Sequence, residues 1–146
     1  MKVVAQNKKA RFDFEIIDTL EAGIVLSGQE VKSCRAGHIH LSGSYVSFRG
    51  GTPVLKNASI APYRFATVSG EYDEKQDREL LIKKSELARL TAIEQEKGMT
   101  IIPLEVRAGR FIKLFLGIGR GRKKLDKRQR IRDREVERRV RRGEDS

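Results

Sequence analysis

The chain has 146 residues, enough for one hydrophobic core without covalent staples, and its single cysteine, Cys34, has no internal disulfide partner. The net charge of +11 is unevenly placed: 13 of the 31 Lys and Arg lie between Arg120 and Arg142, and residues 120–146 carry +7 against +4 for residues 1–119. A near-neutral domain with a basic extension is the electrostatic footprint of a polyanion binder. Lys8 and Lys9 interrupt the N-terminal sequence before a long apolar run develops, and no later stretch approaches a membrane span. Neither a signal peptide nor an anchor is expected, and the expected location is cytoplasmic.

In chain order, residues 12–18 begin with alternating apolar and polar side chains and read as a half-buried strand. Residues 45–49 and 52–55 flank Gly50-Gly51, a pair able to supply the positive φ angles of a tight hairpin turn. A short buried strand follows at residues 80–82. Ser85 then reads as the cap of a helix whose Leu87, Leu90 and Ile93 share one face and which ends at Gly98. Residues 100–106 and 111–116 flank Ala108-Gly109 as a second hairpin, with Pro103 marking an edge or a bulge. Many short strands with few helices indicate a small closed barrel rather than a parallel sheet.

The barrel is expected to span residues 1–118. Gly117, Gly119 and Gly121 then read as a flexible hinge into a basic tail over residues 119–146. That tail has helix-forming residues but only Leu125, Ile131, Val136 and Val140 to bury, in no continuous stripe. It is expected to be helical only when a polyanion neutralises its charge.

Catalysis finds little support. The segment from Gly117 to Gly121 lacks the Gly-Lys-Ser/Thr ending of a phosphate-binding loop. Cys34, His38 and His40 offer three metal ligands with no suitable fourth nearby, so no metal or other cofactor is expected. Two histidines and scattered acids build no catalytic triad or carboxylate pair. Among the aromatics, Phe12, Phe14, Tyr45, Phe48, Phe111 and Phe115 fall mostly at alternating strand positions suited to core packing. Tyr63, Phe65 and Tyr72 lie in an irregular stretch and are the better candidates for exposed stacking platforms.

Several blocks occur together in order: Asn7-Lys-Lys-Ala10, Glu21-Ala-Gly-Ile-Val-Leu26, Glu30-Val-Lys-Ser33 with Arg35-Ala-Gly37, Ser44-Tyr-Val46, Leu80-Leu-Ile82, Gly121-Arg-Lys-Lys-Leu-Asp-Lys-Arg128 and Ile131-Arg-Asp-Arg-Glu135. Over residues 7–135 the chain closely resembles the small protein B family, the bacterial SsrA-binding proteins that partner transfer-messenger RNA. The resemblance implies an oligonucleotide/oligosaccharide-binding-like barrel with one to three added helices. It implies a non-catalytic, monomeric protein that binds the tRNA-like domain of that RNA and delivers it to stalled ribosomes in trans-translation. The basic tail would enter the empty mRNA channel and lie near the decoding centre, against small-subunit rRNA.

Carried over by position, Glu21, Leu81, Lys83 and Lys113 would form the surface for the tRNA-like domain, with Lys8, Lys9 and Arg11 as further RNA contacts. Arg122, Lys123, Lys124, Asp126, Lys127 and Arg128 would act from the tail. Lys83 departs from the family's usual Asn or His, turning a neutral contact into a phosphate contact. The hairpin around Ala108-Gly109 is about a residue short. Leu125 stands where members carry His or Tyr, and it offers no π face for stacking. A small basic ribosomal or other rRNA-binding protein would share the composition and is the alternative reading.

Overall fold

A computed structural model describes residues 1–63 and 72–122; Phe65, Lys123, Lys124, Leu125, Asp126, Lys127 and Arg128 lie outside the described residues. The elements in chain order are β1 (Lys2–Gln6), α1 (Lys8–Asp13), β2 (Phe14–Ile24), α2 (Gly28–Arg35), β3 (Ile39–His40), β4 (Tyr45–Arg49), β5 (Thr52–Lys56), β6 (Ser59–Ile60), β7 (Arg78–Leu81), α3 (Lys84–Glu94), β8 (Met99–Ala108) and β9 (Ile112–Gly121).

Seven strands form one antiparallel sheet in the order β1-β8-β9-β2-β7-β5-β4, with β3 and β6 paired apart. The sheet curls so that β4 packs against β8. This is a mainly β, OB-like small barrel with added helices. Its interior holds Leu20, Leu55, Leu80, Leu90, Val106, Leu114, Leu116 and Ile118, all buried.

Local chemistry explains several elements. Gly50 and Gly51 both have positive φ, 59° and 85°, so the β4–β5 hairpin turns as its sequence requires. Pro103 sits at a bulge in β8, where the register against β9 shifts between Pro103 and Glu105. β8 is not an edge, because β1 covers its other side.

That bulge meets Asn7, which is buried and caps α1 by accepting the Ala10 N–H. Asn7 also donates from Nδ2 to the Pro103 carbonyl (3.0 Å) and from its backbone N–H to the Leu104 carbonyl (2.8 Å). The capped turn places Phe12 in α1, and the strand expected from residue 12 starts at Phe14 and runs to Ile24.

Other expectations change. α3 begins at Lys84 with Lys83 as its cap residue, and Ser85 lies inside the helix. α2 adds a helix to those expected, started by a capping box between Ser27 and Glu30: the Ser27 hydroxyl accepts the Glu30 N–H and the Glu30 carboxylate accepts the Ser27 N–H. The glycines near the end of β9 are no hinge. Gly117 pairs with Thr19 and Gly119 with Ile16, and β9 continues to Gly121, past the expected end of the barrel at residue 118. A Cβ on Gly117 would sit 2.8 Å from Leu104 Cδ1, and one on Gly119 would sit 2.6 Å from the Glu15 carbonyl oxygen. These glycines let neighbouring strands approach closely.

Candidate nucleic-acid interface

Strands β7, β2 and β9 lie side by side, and one row across them reads Leu81–Gly23–Lys113. Alternation along β7 turns Leu80 into the core and Leu81 outward, so Leu81 is 58% exposed. It is therefore no core residue. Two positions before Gly23 on the same face of β2 stands Glu21, whose carboxylate pairs with the Lys113 ammonium. The chain leaving β7 carries exposed Lys83, whose carbonyl accepts the Leu87 N–H at the start of α3. Glu21, Leu81, Lys83 and Lys113 thus line a single cavity of about 580 Å³.

Phe111 also lines this cavity and is 65% exposed. Sequence reasoning placed it in the core, but it precedes β9, at the tip of the β8–β9 hairpin. The Arg35 guanidinium at the end of α2 donates to the Gly109 and Arg110 carbonyls (2.7 and 3.1 Å), tying that tip down. The signal available in the sequence was the turn pair Gly109-Arg110 immediately before Phe111.

The outer sheet face continues as a chain of paired charges. Arg107 stacks over the Phe115 ring at 4.2 Å and donates to Glu105 (3.0 Å), which also receives Arg11 (3.2 Å). The Glu105 hydrogen bond raises the Arg107 guanidinium above its already high pKa, so it stays charged.

The remaining predicted residues among those described start from α1 and the end of β9. Lys8, Lys9 and Arg11 belong to α1, from which the Arg11 side chain reaches Glu105 in the row of Phe115 and Glu21, while the Arg122 N–H bonds the Asp13 carbonyl (2.9 Å) beside the Phe14–Gly121 end of the β2–β9 pair. Gly23 and Lys113 mark the opposite end of that pair, nine strand residues away, roughly 30 Å along the sheet. The described part of the predicted list therefore spans both ends of the β2–β9 pair, with Arg11 reaching from α1 to the row of Phe115 and Glu21. Lys9 lines a second, smaller groove of about 290 Å³ together with Tyr45, which is 52% exposed rather than packed in the core.

Tyr72 is no stacking platform. Its hydroxyl shares one proton between the Glu30 carboxylate (3.1 Å) and the Ile60 carbonyl (3.0 Å), and burial followed by the Glu30 charge pushes its pKa up to about 12. Tyr63 is half-buried, with the Lys32 ammonium 5.3 Å from its ring centre.

Cys34 is fully buried while His38 and His40 are exposed, and no metal-binding cluster forms among the described residues. Burial, then the charge of Glu30, raises the Cys34 thiol to about 12. Native protein is expected to resist a thiol-disulfide colour reagent and to release one equivalent in denaturant. Rapid labelling without denaturant would show that α2 opens from the barrel.

Comparison with known proteins follows the same lines. A family model described as SmpB protein matches residues 4–145. The SsrA-binding protein of Coprothermobacter proteolyticus is 44% identical over 144 residues, covering 97% of this chain and 96% of its own length. That of Chloroflexus aggregans is 45% identical over 142 residues, covering 97% and 90%. A solved structure described as "tmRNA-SmpB: a journey to the center of the bacterial ribosome" superposes with a TM-score of 0.69 at 38% identity, covering 90% of this chain and 96% of that one.

Proposed function

The chain belongs to the SmpB protein family, and from that membership we propose how its surfaces divide the family's task. It is a non-catalytic RNA-binding protein that binds transfer-messenger RNA and delivers it to stalled ribosomes. In our reading the cavity around Gly23 holds the tRNA-like domain, through Leu81 and Phe111 as apolar surface and Lys83 and Lys113 as phosphate partners. The observation that carries this is the convergence of Glu21, Leu81, Lys83 and Lys113 from three strands and a helix start into one exposed cavity.

The region of α1 and Arg122, with Lys123, Lys124, Asp126, Lys127 and Arg128 beyond it, then serves the ribosome. The tail occupies the empty mRNA channel near the decoding centre, where rRNA neutralises its +7 and favours a helix. The whole process takes place in the cytoplasm.

A barrel with modest net charge must read folded shape as well as phosphates. The protein is therefore expected to prefer transfer-messenger RNA clearly over poly-U of equal length at physiological salt. Lys83→Ala and Lys113→Ala should each weaken binding and reduce the slope of log K against log salt by up to about one. Lys113 must leave Glu21 to reach a phosphate, so its change in slope is expected to be the smaller of the two. Unchanged slopes in both variants would remove the cavity from the RNA surface. Pull-down followed by sequencing should recover transfer-messenger RNA; recovery of rRNA alone would favour a ribosomal protein instead.

A further inference from the structure

Gly23 lies at the centre of the row Leu81–Gly23–Lys113, in the middle of the proposed RNA site. Its φ lies outside the positive range, so the backbone there does not demand glycine. Glycine inside a strand weakens pairing, so its place calls for another reason. The neighbours of a Cβ built on Gly23 supply one. The three nearest heavy atoms all belong to Leu81: Cβ at 3.3 Å, Cδ1 at 3.6 Å and Cγ at 3.8 Å. Leu81 lies across the bare backbone of Gly23 instead of standing away from it.

We infer that Gly23 is a positioning residue for RNA binding: its missing side chain is the slot in which Leu81 lies. Directly opposed Cβ atoms in antiparallel strands ordinarily stand about 4.5–5.5 Å apart. At 3.3 Å, an alanine at position 23 forces Leu81 to give by a few tenths of an ångström. β7 can give at Leu81, because that is its last residue and the bonds beyond the Gly23–Leu81 and Ile24–Leu80 pairs, such as Val25 N–H to the Glu79 carbonyl, hold the strand on the other side of it. Displacing Leu81 also displaces the chain that leads directly to Lys83. One methyl group at position 23 therefore disturbs the apolar contact and one phosphate contact together. The inference rests on the cavity being the RNA site.

The test is a double-mutant cycle on the full chain, read as affinity for a transcript of the tRNA-like domain, with thermal unfolding of every variant. Gly23→Ala and Leu81→Gly should each weaken binding about tenfold, equivalent to about 1.4 kcal/mol. The double variant should bind like Leu81→Gly, which already lacks the Cβ that position 23 would meet, because Gly23 acts through that side chain. Losses that multiply to about a hundredfold would overturn the inference, as would wild-type binding by Gly23→Ala. If Leu81→Gly and Lys113→Ala both bind like wild type, the assignment of the cavity fails first. Should Gly23→Ala unfold at the assay temperature, it is repeated in a Leu81→Gly background, where the opposing Cβ is gone. Refolding there supports Leu81 as the point of contact, and failure to refold overturns it.

Discussion

A chain ending at Arg122 is expected to bind the tRNA-like domain within about threefold of the full chain while losing peptide tagging on stalled ribosomes by about a hundredfold or more, the equivalent of about 2.7 kcal/mol. The cut is placed by structure rather than composition. β9 holds its pairing with β2 through Gly121, and the Arg122 N–H closes on the Asp13 carbonyl, so a cut at residue 118 would strip paired residues from the sheet. Beyond Arg122 lie most of the bases responsible for the +7 of residues 120–146. If about six of them neutralise phosphates, the full chain's affinity for ribosomes should fall with log salt at a slope near 5, and the shortened chain should lose most of that slope. Tagging assays and salt titrations on both chains check this. Tagging by the shortened chain at the full rate would assign the delivery step to the barrel alone.

The second large effect concerns stability. Arg78 and Glu30 are 2% and 6% exposed and meet far from solvent. The Arg78 guanidinium donates from Nε and Nη2 to one Glu30 oxygen (3.1 and 2.8 Å) and from Nη1 to the Ala58 carbonyl (2.7 Å). Gln76 and Tyr72 also donate to that Glu30 oxygen, and the Ser27 N–H donates to the other. Arg78→Ala leaves a buried carboxylate without its counter-charge and is expected to destabilise the fold by about 3–5 kcal/mol. Tm should fall by roughly 10 °C or more. Replacing both partners, as Glu30→Leu with Arg78→Met, should recover much of that loss, since a buried pair is weak evidence for net stabilisation. If Arg78→Ala costs under about 1 kcal/mol, the network is open to water.

This pair also sets a pH dependence. Burial pushes the Glu30 carboxyl up, but the Ser27 N–H, Arg78 and Gln76 together outweigh it and hold the group below its ordinary value of 4.5. The stabilisation is therefore present above pH 4.5 and lost as pH falls through the folded value. Removing Arg78 takes away two of the influences that hold the group down and shifts the balance toward the neutral acid. The stability gap between wild type and Arg78→Ala should narrow on acidification, as urea titrations at neutral pH and near pH 4 can measure. A gap that widens in acid would mean that Glu30 is not the partner that matters.

How much of this was legible in the sequence follows from the range of each signal. Turn chemistry acts over two residues, and Gly50-Gly51 gave the β4–β5 hairpin directly. Helical spacing acts over one or two turns, and Leu87, Leu90 and Ile93 located α3 but not its first residue, because Lys83 caps it without a side-chain bond. The capping box at Ser27 and Glu30 was equally local and went unread in the sequence. Charge asymmetry needs no fold at all, and it marked residues 120–146 as the basic end of the chain.

What a residue faces depends on strands far away in sequence. The pair Leu80-Leu81 carries no mark of which leucine points outward; the pairing of β7 with β2 and β5 settles it. Gly117 and Gly119 look like a hinge until β2 and β8 close on both sides, when they become the places where a Cβ has no room. Glu30 and Arg78 are 48 residues apart, and nothing local distinguishes them from exposed charges. The predicted RNA contacts formed one list in sequence because a list has no geometry; the length of β2 separates Arg122 from Lys113, while the pair with Glu105 brings Arg11 to the row of Glu21. The sequence by itself thus determined the charge division, the turns and the family, since these rest on composition and neighbours. Only the tertiary structure decided exposure, close approach and grouping, because those are properties of strands brought together across the barrel.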